Sequence, residues 1–203
     1  MYTNTDLWAI ENALYQTGNW ELICGVDEAG AGPLAGPVYA AAVILPRNLL
    51  LPGLNDSKKL SAKKREALFD EIQKQAVAYA IASVDEKMID EINILNARML
   101  AMDQAICSLV PSPGLALIDG NCSRGIQVEN QTVVGGDGKS ASIAAASILA
   151  KVSRDRFMLE LDALYPQYGF ARHKGYGTKA HYAALKEFGP SPVHRRSFLK
   201  KEH

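Results

Sequence analysis

Short apolar runs, each closed by turn-forming residues, recur along the chain and predict its elements. Ile23 to Ala29 is apolar until Asp27-Glu28, which predicts a buried strand ending in carboxylates. Residues 30–36 are rich in glycine and proline and predict a loop. Val38 to Leu45, bounded by Pro37 and Pro46, predicts a second strand. Asn55-Asp56-Ser57 is turn chemistry, and Ser61 is placed to cap a helix with Leu68, Phe69 and Ile72 on one face. Ala76 to Val84 predicts a third strand. Two helical stretches follow, from about Glu86 and from about Asn93 to Leu109, with Ile94, Leu95, Met99 and Met102 spaced for a core face. Leu115–Asp119 and Thr132–Val134 predict short strands, each followed by glycine. A long helix from about Ser140 to Leu164 stops before Pro166, and another is expected from Lys179 to Phe188. Strands, then helices, then strands and helices again predict one α/β domain with a helical C-terminal piece.

Composition narrows the class. A chain of 203 residues, 48% hydrophobic, can bury a sizeable core. No apolar stretch is long enough to span a bilayer, and Met1 to Asp6 lacks the form of a signal peptide. The three cysteines (Cys24, Cys107, Cys122) are scattered, which argues against a zinc site or disulfide framework and for a reducing, cytoplasmic setting. The formal charge is zero but unevenly placed: residues 171–203 carry eight basic and two acidic residues, so the tail is +6 and the remainder −6. A basic tail could give a phosphate-binding face; a solvated tail is the plain alternative.

Three predicted strands end in acids: Asp27-Glu28, Asp119, and Asp137 after Gly135-Gly136. Crevices at strand ends are where open α/β sheets bind ligands. Clustered carboxylates repel one another unless a cation neutralises them, and hard oxygen donors suit Mg²⁺ or Mn²⁺. Four acids facing a phosphodiester could hold two such ions, while Asp before Gly is also ordinary turn chemistry. His173, His181, His194 and His203 show no metal-binding spacing and are expected at the surface or near phosphate.

Six blocks, in order, closely resemble the signature of bacterial ribonuclease HII, the type 2 ribonuclease H family. They are Gly25–Val38 (GVDEAGAGPLAGPV), Leu54–Leu60 (LNDSKKL), Ile118–Asn121 (IDGN), Ala145–Asp155 (AASILAKVSRD), His173–Thr178 (HKGYGT) and His194–Phe198 (HRRSF). The resemblance implies a ribonuclease H-like fold: a five-stranded mixed sheet flanked by helices, with a helical C-terminal segment. It divides the chain into an N-terminal extension (residues 1–20), a catalytic domain (21–170) and a basic helical segment packed on it (171–203). It implies an endonuclease that cuts RNA in RNA–DNA hybrids, and also cuts 5′ of a lone ribonucleotide in duplex DNA. The products carry 3′-hydroxyl and 5′-phosphate ends, and the roles are ribonucleotide and RNA-primer removal. Carried over by position, Asp27, Glu28, Asp119 and Asp137 hold two Mn²⁺ or Mg²⁺ ions. Gly30, Ala31 and Gly32 read the 2′-hydroxyl by their backbone, with Tyr176 on the same sugar; Lys58, Lys59, Ser147 and Lys151 are phosphate contacts. The expected partners are hybrid duplex and ribonucleotide-containing DNA, with no membrane, and the protein is expected to be a monomer.

Two positions depart from the family. Ala31 stands where arginine is usual, which removes a cation near a phosphate, and Gly135 stands where lysine is common, which removes a second cation beside Asp137. The alternative is therefore an impaired or non-catalytic hybrid-binding variant. A DNA-directed nuclease on the same fold would share the acids but not the glycine loop with His-Lys-Gly-Tyr. Nucleotide hydrolysis is disfavoured, because no G-x-x-x-x-G-K-[ST] follows a strand.

Overall fold

The computed structural model describes residues 7–54 and 60–199. Lys58, Lys59 and the predicted turn at Asn55-Asp56-Ser57 lie outside them, as does His203. Five strands form one mixed sheet in the order β3-β2-β1-β4-β5. Strands β1 (Ile23–Ala29), β2 (Val38–Ile44) and β3 (Ala78–Val84) are antiparallel, whereas β4 (Leu115–Asp119) and β5 (Asn130–Val133) run parallel to β1.

Because side chains alternate across a strand, each strand serves two layers. On one face Cys24, Val26, Ala40, Ala42, Ala116 and Ile118 pack against helix α3 (Glu86–Cys107). On the other, Ala41, Val43, Ile23, Leu115 and Leu117 meet α2 (Ala62–Gln75) and α4 (Ala141–Leu164), as well as α1 (Ala9–Gln16). Helix α4 lies so close to β1 that a Cβ on Gly25 would fall 2.1 Å from the Ile143 nitrogen. Only glycine fits there.

The caps follow from sequence. Ser61 accepts the Lys64 N–H to start α2, which buries Leu68, Phe69 and Ile72. Helix α3 is two helical runs joined at Asn93 (φ 66°), whose side chain accepts the Asn96 N–H and starts the second run. The pattern placed a break there. Leu95, however, is 45% exposed: it sits in the first turn after the break, which the sheet does not cover, and the buried face begins at Ala97. Strand β5 ends at Val133, and Val134 is 65% exposed, one residue short of the expected end.

The segment expected to be an N-terminal extension holds helix α1, for which the apolar pattern gives no expectation. Trp8, Ile10 and Leu14 join the core, and buried Glu11 accepts from Ser140 Oγ (2.6 Å), Ser142 Oγ (2.7 Å) and the Ser142 N–H (3.1 Å). A carboxylate at a helix N-terminus is doubly favourable, through hydrogen bonds and the helix dipole. Past α4, short helix α5 (Phe170–His173) and α6 (Lys179–Phe188) build a third cluster of Ala35, Met158, Leu161, Tyr168, Phe170 and Ala184. Among the described residues no helix is long and apolar enough to cross a membrane.

Candidate active site

The parallel register of β1 and β4 sets Val26 opposite Ile118, which carries Asp27 and Asp119 to the ends of neighbouring strands on the face covered by α4. Asp137 stands in the tight turn Gly136–Gly138 just before Ser140 caps α4. Asp119 Oδ1 accepts the Gly136 N–H at 2.6 Å, tying the second acid to the turn that carries the third. Asp27 and Asp137 are buried. Burial, then the charges of Glu28, Asp119 and Asp137, hold the Asp27 carboxyl well above the usual carboxylate range. Three acids distant in sequence thus share one pocket.

Glu28 alternates to the other face. There it meets Arg98 of α3 at 2.8 Å, an arginine to which the sequence reading assigned no role. Among the described residues no three carboxylate, imidazole or thiol groups stand as a ready-made metal cage. The donor chemistry nonetheless fits a divalent cation: the oxygens are hard, and the crowded Asp27 carboxyl would be relieved by a positive charge.

The second part of the site is the loop after β1. Gly30 has φ +95°, and a Cβ there would lie 1.9 Å from Arg154 Nε, so glycine is required twice over. Gly32 is exposed, and its Cβ position faces Tyr176 at 3.6 Å from the ring. Tyr176 is 47% exposed, so loop and phenol form one open rim beside the acids. The rim is tied down by the C-terminal segment: Leu34 N–H donates to the Gly175 carbonyl, Gly36 N–H to Val193, and Ala35 bridges His194.

Two arginines grip this loop from inside. Arg154 donates to the carbonyls of Ala35, Pro37 and Lys174. Arg195 donates to those of Gly30 (2.7 Å), Ala31 (3.0 Å) and Gly36 (2.8 Å). Both are buried, so Arg195, counted from sequence as part of a charged tail, contributes nothing to an outer basic face.

The expectation of surface histidines fails for His181 and His194, which are fully buried, because their rings are consumed by internal hydrogen bonds. His194 Nδ1 accepts the Ser191 N–H (3.0 Å), which puts its proton on Nε2, 3.0 Å from His181 Nε2. His181 then directs Nδ1–H at the Tyr176 carbonyl (3.0 Å). His173 stacks on His181 with ring centres 4.5 Å apart. Burial lowers the His181 pKa. Burial and the neighbouring His181 push that of His194 down to about 4. The neutral chain from Ser191 to Tyr176 supports the rim.

The remaining candidates are less exposed than expected. Lys151 Nζ is paired with Asp155 at 2.6 Å, and Ser147 is buried within α4. Ala31 is half-buried at the rim. Gly135 takes a left-handed conformation (φ 65°, ψ 40°) that favours glycine over lysine, while Lys139 donates to the Val134 carbonyl and returns a cation to the same turn.

Comparison with known proteins gives the family and the fold. Residues 24–201 match the family model described as Ribonuclease HII. A ribonuclease HII of Acetivibrio thermocellus is 56% identical over 190 residues, covering 94% of this chain and 74% of that protein. The ribonuclease HII solved in complex with PCNA from Archaeoglobus fulgidus superposes with a TM-score of 0.74 at 27% identity, over 90% of this chain and 97% of that one. A ribonuclease HIII (Bst) solved with Mn²⁺ shares the fold, with a TM-score of 0.64 at 18% identity, over 83% of this chain and 63% of that one.

Proposed function

Because this chain belongs to the ribonuclease HII family, and is thus a type 2 ribonuclease H acting as an endonuclease on RNA in RNA–DNA hybrids, we propose that it also cuts 5′ of single ribonucleotides embedded in duplex DNA, leaving 3′-hydroxyl and 5′-phosphate ends. The observation that carries this reading is the meeting of Asp27, Asp119 and Asp137 in one pocket, beside a rim of glycine backbone and an exposed tyrosine.

Asp27 and Asp119, on adjacent strand ends, would hold two Mg²⁺ or Mn²⁺ ions, with Asp137 closing the pocket and Glu28 joining when it leaves Arg98. Such ions supply an ionised water near neutral pH and neutralise the leaving oxygen. The carboxylates otherwise set where the phosphate can lie, because they are fixed to strand ends that α4 packs against. The rim selects the sugar: the backbone at Ala31–Gly32 can hydrogen-bond a 2′-hydroxyl that DNA lacks, and the Tyr176 ring bounds the same space. Arg98 holds Glu28 on the α3 face of the sheet. The protein acts as a monomer in the cytoplasm, in ribonucleotide and primer removal.

The test is one incubation of duplex DNA carrying a single ribonucleotide, with and without Mn²⁺, with product ends mapped and an all-DNA duplex as control. A cut 5′ of the ribonucleotide that requires the ion is expected. Equal cutting of the all-DNA duplex, or cutting in chelator, would overturn the reading.

A further inference from the structure

Arg195 is the most deeply buried cation beside the site, at 0% exposure, and among the described residues no carboxylate lies within ion-pair distance of it. Glu86 and Asp90 act on it only from farther away. A buried charge is costly, and an apolar side chain of similar volume usually serves stability as well or better. What the guanidinium does here that no apolar group could is take three backbone carbonyls at once. Two of them, Gly30 and Ala31, belong to consecutive peptides at the rim, at 2.7 and 3.0 Å.

A trans peptide is planar, and its C=O and the following N–H point in opposite directions. With the Gly30 and Ala31 carbonyls drawn inward, the N–H groups of Ala31 and Gly32 face outward, on the side where Gly32 is exposed and Tyr176 stands. Two adjacent outward N–H groups form a concave donor pair suited to an electronegative oxygen. We propose that Arg195 is a positioning residue for sugar selection, fixing the donor pair of Ala31 and Gly32 on the 2′-hydroxyl of the ribonucleotide. Arg154 packs beneath Gly30 and takes the carbonyls of Ala35, Pro37 and Lys174, none of which belongs to the peptides of the donor pair. Lysine cannot replace Arg195, because a single ammonium lacks the planar fork that reaches both carbonyls together.

The inference rests on the ribonucleotide-directed reading above, and its test separates the two. Binding of a duplex with one ribonucleotide and of the same all-DNA duplex is measured by fluorescence anisotropy, with divalent ions chelated so that nothing is cut. The wild type should prefer the ribonucleotide. Arg195→Lys should lose about tenfold of that preference, with all-DNA affinity held within about twofold. Ile72→Ala, a buried change on α2 away from the rim, should keep the preference, which a loss caused by general destabilisation would not predict. A folded Arg195→Lys protein with unaltered preference overturns the inference alone. A wild type with no preference overturns the substrate reading and the inference with it. Should Arg195→Lys not fold, amide exchange in the wild type decides. The Ala31 and Gly32 amides must exchange freely and be slowed more by the ribonucleotide duplex than by DNA; equal slowing refutes the proposal.

Discussion

Acid should destabilise this protein largely through one imidazole. His194 is 1% exposed, and its ring nitrogens are both committed: Nδ1 accepts the Ser191 N–H, and Nε2–H points at His181 Nε2. A proton added to His181 would set its Nε2–H against that of His194 at 3.0 Å, and one added to His194 would go to Nδ1 and face the Ser191 N–H at 3.0 Å. Burial, then His181, Arg196 and His173, oppose that proton, and the pKa falls from 6.5 to about 4. Since the folded pKa lies below the unfolded one, the unfolded chain binds the extra proton between pH 6.5 and 4. Stability is therefore full above about pH 6.5 and lost as pH falls toward 4. A shift of this size corresponds to about 3 kcal/mol, lost at up to about 1.4 kcal/mol per pH unit. The assay is urea unfolding followed by circular dichroism from pH 7 to 4.5, for the wild type and His194→Asn. The asparagine oxygen can accept from Ser191 but does not titrate. The variant should start less stable at pH 7 and decline more gently, the residual slope belonging in part to His181, whose pKa burial also lowers. Parallel curves would refute the assignment.

Three further outcomes are expected. Asp27→Asn should abolish cleavage while raising the metal-free melting temperature by about 2–4 °C, as relief of about 1 kcal/mol gives in a chain of this size; a lower melting temperature would contradict the crowding of Asp27. Arg98→Met should tighten Mn²⁺ binding about fivefold by calorimetry, because it frees Glu28 and removes a partly exposed competing charge worth about 1 kcal/mol; unchanged or weaker binding would rule this out. Ala31→Arg should lower KM for a single-ribonucleotide duplex by about fivefold with kcat within about twofold, through a charge-assisted phosphate contact of about 1 kcal/mol; steady-state kinetics showing no change in KM would defeat it.

Much of this was legible in the sequence because the relevant signals are local. Short apolar runs closed by turn residues, Ser61, Asn93 and Pro166 are decided by near neighbours, and they predict the strands, the α2 cap, the break in α3 and the end of α4. The acids were legible for the same reason, since each closes an apolar strand or follows a glycine turn. The misses are pairings over long separations. Glu11 reaches serines 129 and 131 residues away, and Arg195 reaches Gly30 across 165. A surface lysine and a buried arginine look alike in a charge count, so Arg195 was read as tail charge. His181 and His194 carry no metal spacing, and only their hydrogen bonds in three dimensions show that they support Tyr176. The pairing of Glu28 with Arg98 is likewise hidden in the sequence, because strand alternation turns Glu28 toward a helix that begins far along the chain.

The long reach of Arg195 bears on how the molecule is made. A nascent chain has supplied Asp27, Asp119 and Asp137 before Arg195, so the carbonyls of Gly30 and Ala31 wait longer for their partner than the acids wait for one another. A product truncated before Arg195 would keep the three acids but leave the Gly30 and Ala31 carbonyls without their shared guanidinium, and on the proposed roles it would lose sugar selection while retaining the groups that hold metal.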